Sequence, residues 1–194
     1  GYQQAYRSME AAAKDTEGEM LFYQSKVCEG VFHRISSGTT RDGLEVFGKM
    51  EKGYLLSVDS NWDMYGDGYL SGHYFSEGAL REQLEKAYPG LVFTEEPVEN
   101  QINMYKRDKV GHILSLTVGN KTISGEEFRQ LLELPSSNFT MQAADGKIRF
   151  LCKGQGHGLG LSQYGGNVLA KEGKSYKEIL RYYFPECGVQ KKDS

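Results

Sequence analysis

One segment constrains the fold of this chain more than any other. Residues 154–166 read GQGHGLGLSQYGG and hold six glycines among thirteen residues. Regular helices and strands disfavour such a run, because each interior glycine costs roughly 0.5–1 kcal/mol relative to alanine. Glycine also permits positive φ angles and lets the backbone approach a neighbouring group closely. The segment therefore predicts an irregular loop that presents its central histidine, His157, with little shielding from adjacent side chains.

The end of the same segment carries three polar side chains in succession. Ser162, Gln163 and Tyr164 supply a hydroxyl, an amide and a phenol, which form directional hydrogen bonds to polyhydroxyl ligands. The tyrosine ring can also lie against the face of a sugar. The glycines do not fit the G-x-G-x-x-G pattern of dinucleotide-binding loops, and no lysine follows as a phosphate-binding loop requires. The residues alone leave two interpretations open: a ligand-binding loop, or a structural turn around a buried, hydrogen-bonded histidine.

The overall composition excludes several classes of protein. A length of 194 residues suits one domain or two small ones. The chain is 39% hydrophobic and 12% aromatic, which excludes disorder as its main state. Its 23 lysines and arginines are outnumbered by 26 acidic residues, so a strongly basic nucleic-acid-binding protein is excluded. No apolar run approaches the roughly 20 residues that cross a bilayer, and no secretory signal is visible.

Hydrophobic spacing, capping boxes and turn residues predict the secondary structure. The predicted helices are residues 7–16, 77–87, 126–134, 161–171 and 176–183. The predicted strands are residues 19–23, 27–35, 54–58, 69–75, 110–118, 121–123, 138–143 and 147–153. Strands outnumber helices, and short turns join most neighbouring strands. This order predicts an α+β fold, mainly antiparallel sheet with several short helices.

From residue 154 onward, the chain resembles the C-terminal signature of the stage II sporulation protein D family, which includes amidase-enhancer proteins. The matching stretch reads GQGHGLGLSQYGGNVLAKEGKSYKEILRYYFP. The family pattern is G-x-GHG-x-G-x-SQYGA, followed by AK-x-GK-x-Y-x-x-IL-x-x-YY. Two further stretches agree in order, AAAKDTEGEMLFYQSKVCEGVFHRISSGTTRD and YLLSVDSNWD. The resemblance covers residues 10–184 and implies a single domain of this type over residues 1–194.

The resemblance implies a function in the cell wall. Members of the family are lytic transglycosylases that cleave peptidoglycan glycan strands during engulfment in sporulation and leave 1,6-anhydro-muramic acid ends. They act on strands stripped of stem peptides by a partner amidase, at the outer face of a membrane, where one N-terminal helix holds them. We therefore expect an extracytoplasmic location, glycan strands and a cell-wall amidase as partners, no nucleic acid and no required cofactor. The residues expected in the glycan groove are Ser36, Ser37, Gln155, His157, Ser162, Gln163 and Tyr164.

The catalytic acid of the family is not found in this chain. Glycosidic cleavage needs a carboxylic acid that protonates the leaving oxygen. The family places this glutamate in a segment of the type EMP…EALKAQA-x-AARTY, so we expect it upstream of Gly1. The Glu19-Met20 pair is similar in letters but precedes a different stretch, and is not assigned. Two functions stay open: an enzyme of which this chain is an incomplete or inactive fragment, and a non-catalytic glycan-binding or amidase-enhancing module. Internal carboxylates that could serve instead are Glu17, Glu45, Asp59 and Asp63.

A zinc site is a further expectation. The chain has only three cysteines, Cys28, Cys152 and Cys187, and this small, odd number does not suit a disulfide framework. Two alternatives remain: one disulfide pair with one free thiol, or a thiol that binds a metal. Cys28 and His33 are both good zinc ligands, but their odd spacing needs a bulge, as at Gly30, to share a strand face. Some clostridial-type family members with a Cys and a His at this spacing bind zinc. Cys152, His157, water or substrate would complete the site; a buried thiol and a hydrogen-bonded histidine are the alternative.

Overall fold

The computed structural model describes residues 2–191 of the chain. Its helices are α1 (Tyr2–Asp15), α2 (Gly43–Phe47), α3 (Glu77–Ala87), α4 (Gly125–Leu131), α5 (Gln163–Lys171) and α6 (Tyr176–Tyr183). Its strands are β1 (Glu19–Tyr23), β2 (Lys26–Val27), β3 (Phe32–His33), β4 (Leu70–Ser76), β5 (Ile102–Arg107), β6 (Ile113–Val118), β7 (Lys121–Ile123), β8 (Phe139–Ala144), β9 (Lys147–Lys153), β10 (Leu161–Ser162) and β11 (Gly188–Lys191). Short 3-10 turns span Met50–Lys52, Asn61–Tyr65 and Val98–Gln101.

The strands of this part of the chain form four small sheets. Three sheets are antiparallel, with the strand orders β11-β1-β2, β4-β9-β8 and β5-β6-β7. The fourth joins β3 to β10 in parallel. The predicted α+β fold with mainly antiparallel sheet is therefore confirmed. None of the helices in residues 2–191 is long and apolar enough to cross a membrane.

Two clusters of buried hydrophobic side chains hold these elements together. The first core lies around three packed aromatic rings, Phe128, Phe139 and Phe150, whose centroids are 5.4–5.8 Å apart. The second core contains Tyr54, Leu55, Leu159, Leu169, Ile179, Tyr183 and Phe184. Cys152, near the end of β9, belongs to the first core, whereas Leu159 belongs to the second core. The glycine-rich segment between them is therefore the connection that passes from one core to the other.

Local sequence signals predicted some elements correctly and others incorrectly. Strand β1 and helices α3 and α6 have the predicted bounds, and Ser175 and Glu178 form the reciprocal capping box that opens α6. The predicted strand over residues 27–35 is wrong in its middle, because the chain leaves β1 after β2 and pairs with β10 only from residue 32. The predicted strand over residues 54–58 is also wrong. There, hydrogen bonds of Thr40 and Ser57 hydroxyls replace a strand ladder.

Candidate functional site

The glycine loop (residues 154–160) alternates glycine with one larger residue at each step. Gly154, Gly156, Gly158 and Gly160 all have positive φ angles, of 77°, 104°, 74° and 69°. Side chains at such φ values are strained, and space is also short: a Cβ at Gly158 would lie 3.0 Å from both Arg41 Cδ and His112 Nε2. The loop therefore requires glycine for its conformation and for its close packing.

A second loop, the serine loop (residues 34–41), runs beside the glycine loop and is hydrogen-bonded to it at both ends. At one end, the Gln155 amide donates to the Ile35 carbonyl at 2.7 Å, and the Ile35 amide donates back at 3.1 Å. At the other end, the Arg41 amide donates to the Gly158 carbonyl at 2.8 Å. Because β3 and β10 pair next to these contacts, the two loops form one connected unit.

A fully buried carboxylate, Asp63, joins the serine loop to the start of α5. Its Oδ2 accepts a hydrogen bond from the Ser36 amide at 2.7 Å, and its Oδ1 accepts one from the Ser162 hydroxyl at 2.8 Å. The Ser162 hydroxyl oxygen in turn accepts from the Gly165 amide at 3.2 Å, which caps α5. Asp63 is therefore fully buried and uses both oxygens to link two segments of the site.

A buried ion pair anchors the middle of the glycine loop. Arg41 Nε donates to Asp108 Oδ2 at 2.6 Å, and the two side chains are only 4% and 1% exposed. Arg41 Nη1 also donates to the His157 carbonyl at 3.1 Å. Asp108 Oδ1 accepts from the His112 amide at 2.8 Å. The pair therefore ties the turn before β6 to the backbone that carries His157.

The first of two cavities at this unit, the apolar cavity, has a volume of about 390 Å³. Four polar side chains line it, Arg41, Ser124, Glu126 and His157. Glu126 accepts from Arg129 Nε at 2.8 Å through Oε1, while its Oε2 is buried and has no hydrogen-bond partner among the described residues. The apolar walls come from Val31, Val46, Phe47, Ile113, Leu114 and Leu159. A small set of polar groups within an apolar wall is typical of ligand sites.

The second cavity, the polar cavity, has a volume of about 400 Å³. Gln163 and Tyr164 enter it from the first turn of α5, and Asn167 from the next turn. Arg34 and Asp67 add charges of opposite sign. Amide, phenol and charged groups together offer several donors and acceptors to a polar ligand.

The residues predicted for the glycan groove fall into two groups. Three line the cavities: His157 lines the apolar one, and Gln163 and Tyr164 line the polar one. The other four face the protein. Ser36 and Ser162 are buried at Asp63, the Ser37 hydroxyl is buried without a hydrogen-bond partner among the described residues, and Gln155 Nε2 donates to the Asp67 carbonyl at 3.1 Å.

The four internal carboxylates considered as acids line neither cavity in the described part of the chain. Asp63 is the buried link already described. Glu45 Oε2 accepts from the Lys109 amide at 3.3 Å, and Glu17 and Asp59 are exposed. Glu126, which does line a cavity, was missed from the sequence. Its pattern there is that of an ordinary residue in the first turn of a helix, and only the tertiary packing of α4 brings it to His157.

Two neutral histidines stand side by side at the glycine loop. The rings of His33 and His157 meet edge to face, with centroids 5.9 Å apart. His157 Nδ1 accepts from the Leu159 amide at 3.1 Å, so its proton is assigned to Nε2. His33 Nδ1 lies 3.0 Å from the Leu159 carbonyl, so its proton is assigned to Nδ1, and Nε2 is buried without a partner among the described residues. Burial lowers the pKa of His157, and lowers that of His33 to about 4.

The buried His33 predicts a pH-dependent stability. Its pKa in the folded protein, about 4, lies below the ordinary histidine value of 6.5 that applies to the unfolded chain. Between these two pH values, the unfolded chain therefore binds the proton more readily than the folded protein does. The stability that neutral His33 contributes is therefore fully present above about pH 6.5 and is lost as the pH falls towards about 4. We expect His33→Asn, which keeps a donor for the Leu159 carbonyl, to reduce this loss by up to about 3 kcal/mol. Urea unfolding across this pH range measures the effect. Identical pH profiles for the two proteins would contradict it.

The residues predicted to bind zinc differ in their surroundings. His33 has the hydrogen-bonding pattern of a metal ligand, since a carbonyl holds one ring nitrogen and leaves the other free. The Cys28 thiol instead lies 3.6 Å from the Cys187 sulfur, and Cys152 is buried in the first core. Burial raises the pKa of Cys28, and raises that of Cys187 to about 12, which disfavours the thiolate that binds metal. In residues 2–191, no group of three or more His, Cys, Asp or Glu side chains is placed to hold a metal ion. The zinc site therefore stays a prediction.

Together, the fold and the site describe an α+β protein with one ligand-sized cavity at its glycine loop and a second at the start of α5. No protein-family model matches the chain. The stage II sporulation proteins D of Bacillus amyloliquefaciens and Bacillus subtilis (strain 168) are 29% and 27% identical to it over all 194 residues, which is 100% of this chain and 54% of each relative. The amidase enhancer of Bacillus subtilis (strain 168) is 42% identical over 50 residues, 26% of this chain and 7% of that protein.

The chain is homologous to stage II sporulation protein D. This confirms the resemblance found from the sequence motifs. The chain spans about half the length of these two relatives.

Proposed function

We propose that this chain binds peptidoglycan glycan strands in the cell wall of a sporulating cell and takes part in their cleavage by lytic transglycosylation. The homology to stage II sporulation protein D supports the sporulation role. The proposed location is extracytoplasmic, at the outer face of a membrane. The proposed substrate is a strand without stem peptides, because such a strand offers its sugar rings without branches.

The observation that carries the proposal is the pair of cavities around the joined loops. The apolar cavity gives a sugar ring a hydrophobic wall, with His157 and Glu126 beside it. The polar cavity gives its hydroxyls the Gln163 amide and the Tyr164 phenol. Segment 31–35 contributes Val31 to the first cavity, and Arg34 and Ile35 to the second. A linear polymer that follows this segment would contact both cavities.

The proposed reaction breaks the bond between the anomeric carbon of muramic acid and the bridging oxygen. A carboxylic acid protonates the leaving oxygen as the bond to the anomeric carbon breaks. The C6 hydroxyl of the same sugar then attacks the anomeric carbon and gives its proton to the resulting carboxylate, which restores the acid. Among the described residues, Arg129 binds Oε1 of Glu126 and Oε2 has no partner, which leaves Oε2 to accept a hydrogen bond from a sugar hydroxyl. Because His157 is neutral, it carries no positive charge that would favour the ionised form of a nearby carboxylic acid. We propose that the acid itself is a glutamate preceding residue 1 in the whole protein.

A non-catalytic role is the second candidate. The similarity to an amidase enhancer favours a module that binds glycan and increases the activity of a cell-wall amidase. Mass spectrometry of stripped glycan strands after incubation with the chain tests whether the chain itself cleaves them. Products with 1,6-anhydro-muramic acid ends would support a transglycosylase with an acid in this chain, and Glu126→Gln would then be the first variant to assay. Bound but uncut glycan would favour the module, or an enzyme lacking its acid.

Loss of either cavity side chain is expected to weaken glycan binding. We expect His157→Ala and Gln163→Ala each to raise the dissociation constant for a stripped glycan oligomer at least about tenfold, the equivalent of one lost hydrogen bond to a ligand. Matched controls are His73→Ala on β4 and Gln190→Ala on β11, which line neither cavity. Isothermal titration calorimetry measures the constants. Equal affinities for the site variants and their controls, with all four proteins folded, would contradict the proposed site.

A further inference from the structure

Two of the three cysteines meet on one side of β1. The Cys28 and Cys187 sulfurs are 3.6 Å apart, although the residues are 159 positions apart in the chain. Hydrogen bonding fixes both backbones. The Cys28 amide donates to the Leu21 carbonyl at 2.9 Å, and the strand that follows Cys187 pairs with β1 so that Leu21 opposes Val189. The approach of the two thiols therefore follows from the pairing of β11 with β1 and not from a surface rotamer alone.

Both thiols can be reached from solvent. Each side chain is half-buried, and each lines a surface depression, of about 280 Å³ for Cys28 and about 80 Å³ for Cys187. Cys152 differs, because it is fully buried in the first core. A reagent in solution therefore reaches the pair and not the third cysteine.

We infer that Cys28 and Cys187 form an intramolecular disulfide when the protein meets an oxidant of the disulfide class, such as oxidised glutathione or the disulfide of an oxidoreductase. One thiol loses its proton and attacks the oxidant, which releases one reduced thiol and leaves a mixed disulfide. The second thiol then attacks the mixed disulfide and releases the other thiol. The protein loses two protons and two electrons, and the oxidant gains them as two thiols. This inference rests on the thiol geometry and is independent of the proposed glycan function.

The disulfide would have two consequences for the molecule. It would join the segment after β2 to the segment before β11 and close most of the chain into one loop, which restricts the unfolded state. It would also occupy the Cys28 sulfur, so that disulfide formation and metal binding through Cys28 exclude each other. Since Val31 of the apolar cavity follows three residues later, the covalent link lies close to the proposed site.

The test uses the whole chain in redox buffers of reduced and oxidised glutathione. After alkylation of free thiols, intact mass and peptide mapping should show that the oxidised protein has lost two hydrogens and keeps one free thiol, at Cys152. Its melting temperature should exceed that of the reduced protein by at least about 4 °C, since a disulfide typically adds 2–4 kcal/mol and each kcal/mol raises the melting temperature by 2–4 °C at this length.

Variants separate this pair from the other thiol. Cys28→Ser and Cys187→Ser should each abolish the oxidation-dependent rise in melting temperature, whereas Cys152→Ala should retain it. Three free thiols after oxidation would overturn the inference, as would mixed disulfides with glutathione alone or a disulfide-linked dimer. The mass measurement on the unaltered protein decides the question even if a variant does not fold.

Discussion

Replacement of Asp63 by alanine is expected to lower the free energy of unfolding by about 4 kcal/mol. The carboxylate accepts from the Ser36 amide and the Ser162 hydroxyl, and hydrogen bonds to charged groups contribute roughly 1.5–3 kcal/mol each. The substitution leaves both donors buried without an acceptor, which adds a desolvation cost. Because these bonds join the serine loop to α5, glycan binding at the polar cavity should also weaken. Urea denaturation measures the loss of stability.

Two further variants serve as controls for the loss of stability in Asp63→Ala. Asp63→Asn keeps the volume and one acceptor but presents an amide donor to the other partner, so its loss should lie between zero and that of Asp63→Ala. Asp59→Ala removes an exposed carboxylate nearby and should change stability by less than about 0.5 kcal/mol. An Asp63→Ala protein as stable as Asp59→Ala would contradict the linking role of this carboxylate.

Replacement of Arg41 by methionine is expected to have a comparable effect, also of about 4 kcal/mol. Breaking a buried ion pair by removing one partner costs roughly 3–5 kcal/mol, because the other charge stays buried and uncompensated. Here that charge is on Asp108, whose side chain is 1% exposed. The His157 carbonyl also loses its donor, so the glycine loop should bind glycan more weakly. Chemical denaturation and glycan titration measure the two effects separately.

A double variant tests the physical cause of the Arg41 effect. Asp108→Asn removes the charge but retains an oxygen for the His112 amide. We therefore expect Arg41→Met with Asp108→Asn to be more stable than Arg41→Met alone. Arg81→Met, at a partly exposed ion pair with Glu77, should cost no more than about 1 kcal/mol. Additive losses in the double variant would show that the buried charge is not the cause.

The elements that the sequence predicted well are those with strong local signals. Helix α3 begins after the Ser76 cap and ends before a Pro-Gly pair, and both signals lie within two residues of its ends. Strands β5 and β11 were missed because each is largely exposed and contains only a few apolar residues. Their pairing with β6 and β1 is a tertiary effect that a short window of sequence does not contain.

The candidate site shows the same division between local and tertiary information. The run of glycines predicted an irregular loop around His157, because composition alone determines which conformations are available. The burial of Ser36 and Ser162 at Asp63 was not predictable, since a serine has the same sequence signal whether it faces a ligand or contacts a buried carboxylate, here through the Ser36 amide and the Ser162 hydroxyl. Glu126 and the Cys28–Cys187 contact also depend on how distant segments pack.

The central claim is that a glycan strand lies along both cavities, and a titration followed by NMR tests it most directly. A stripped glycan oligomer should shift amide resonances at His157 and Glu126 on one side, and at Gln163 and Asn167 on the other. The surface between α5 and α6, around Lys174 and Tyr182, should stay unchanged. Shifts centred on that surface, or no shifts at millimolar oligomer, would contradict the claim.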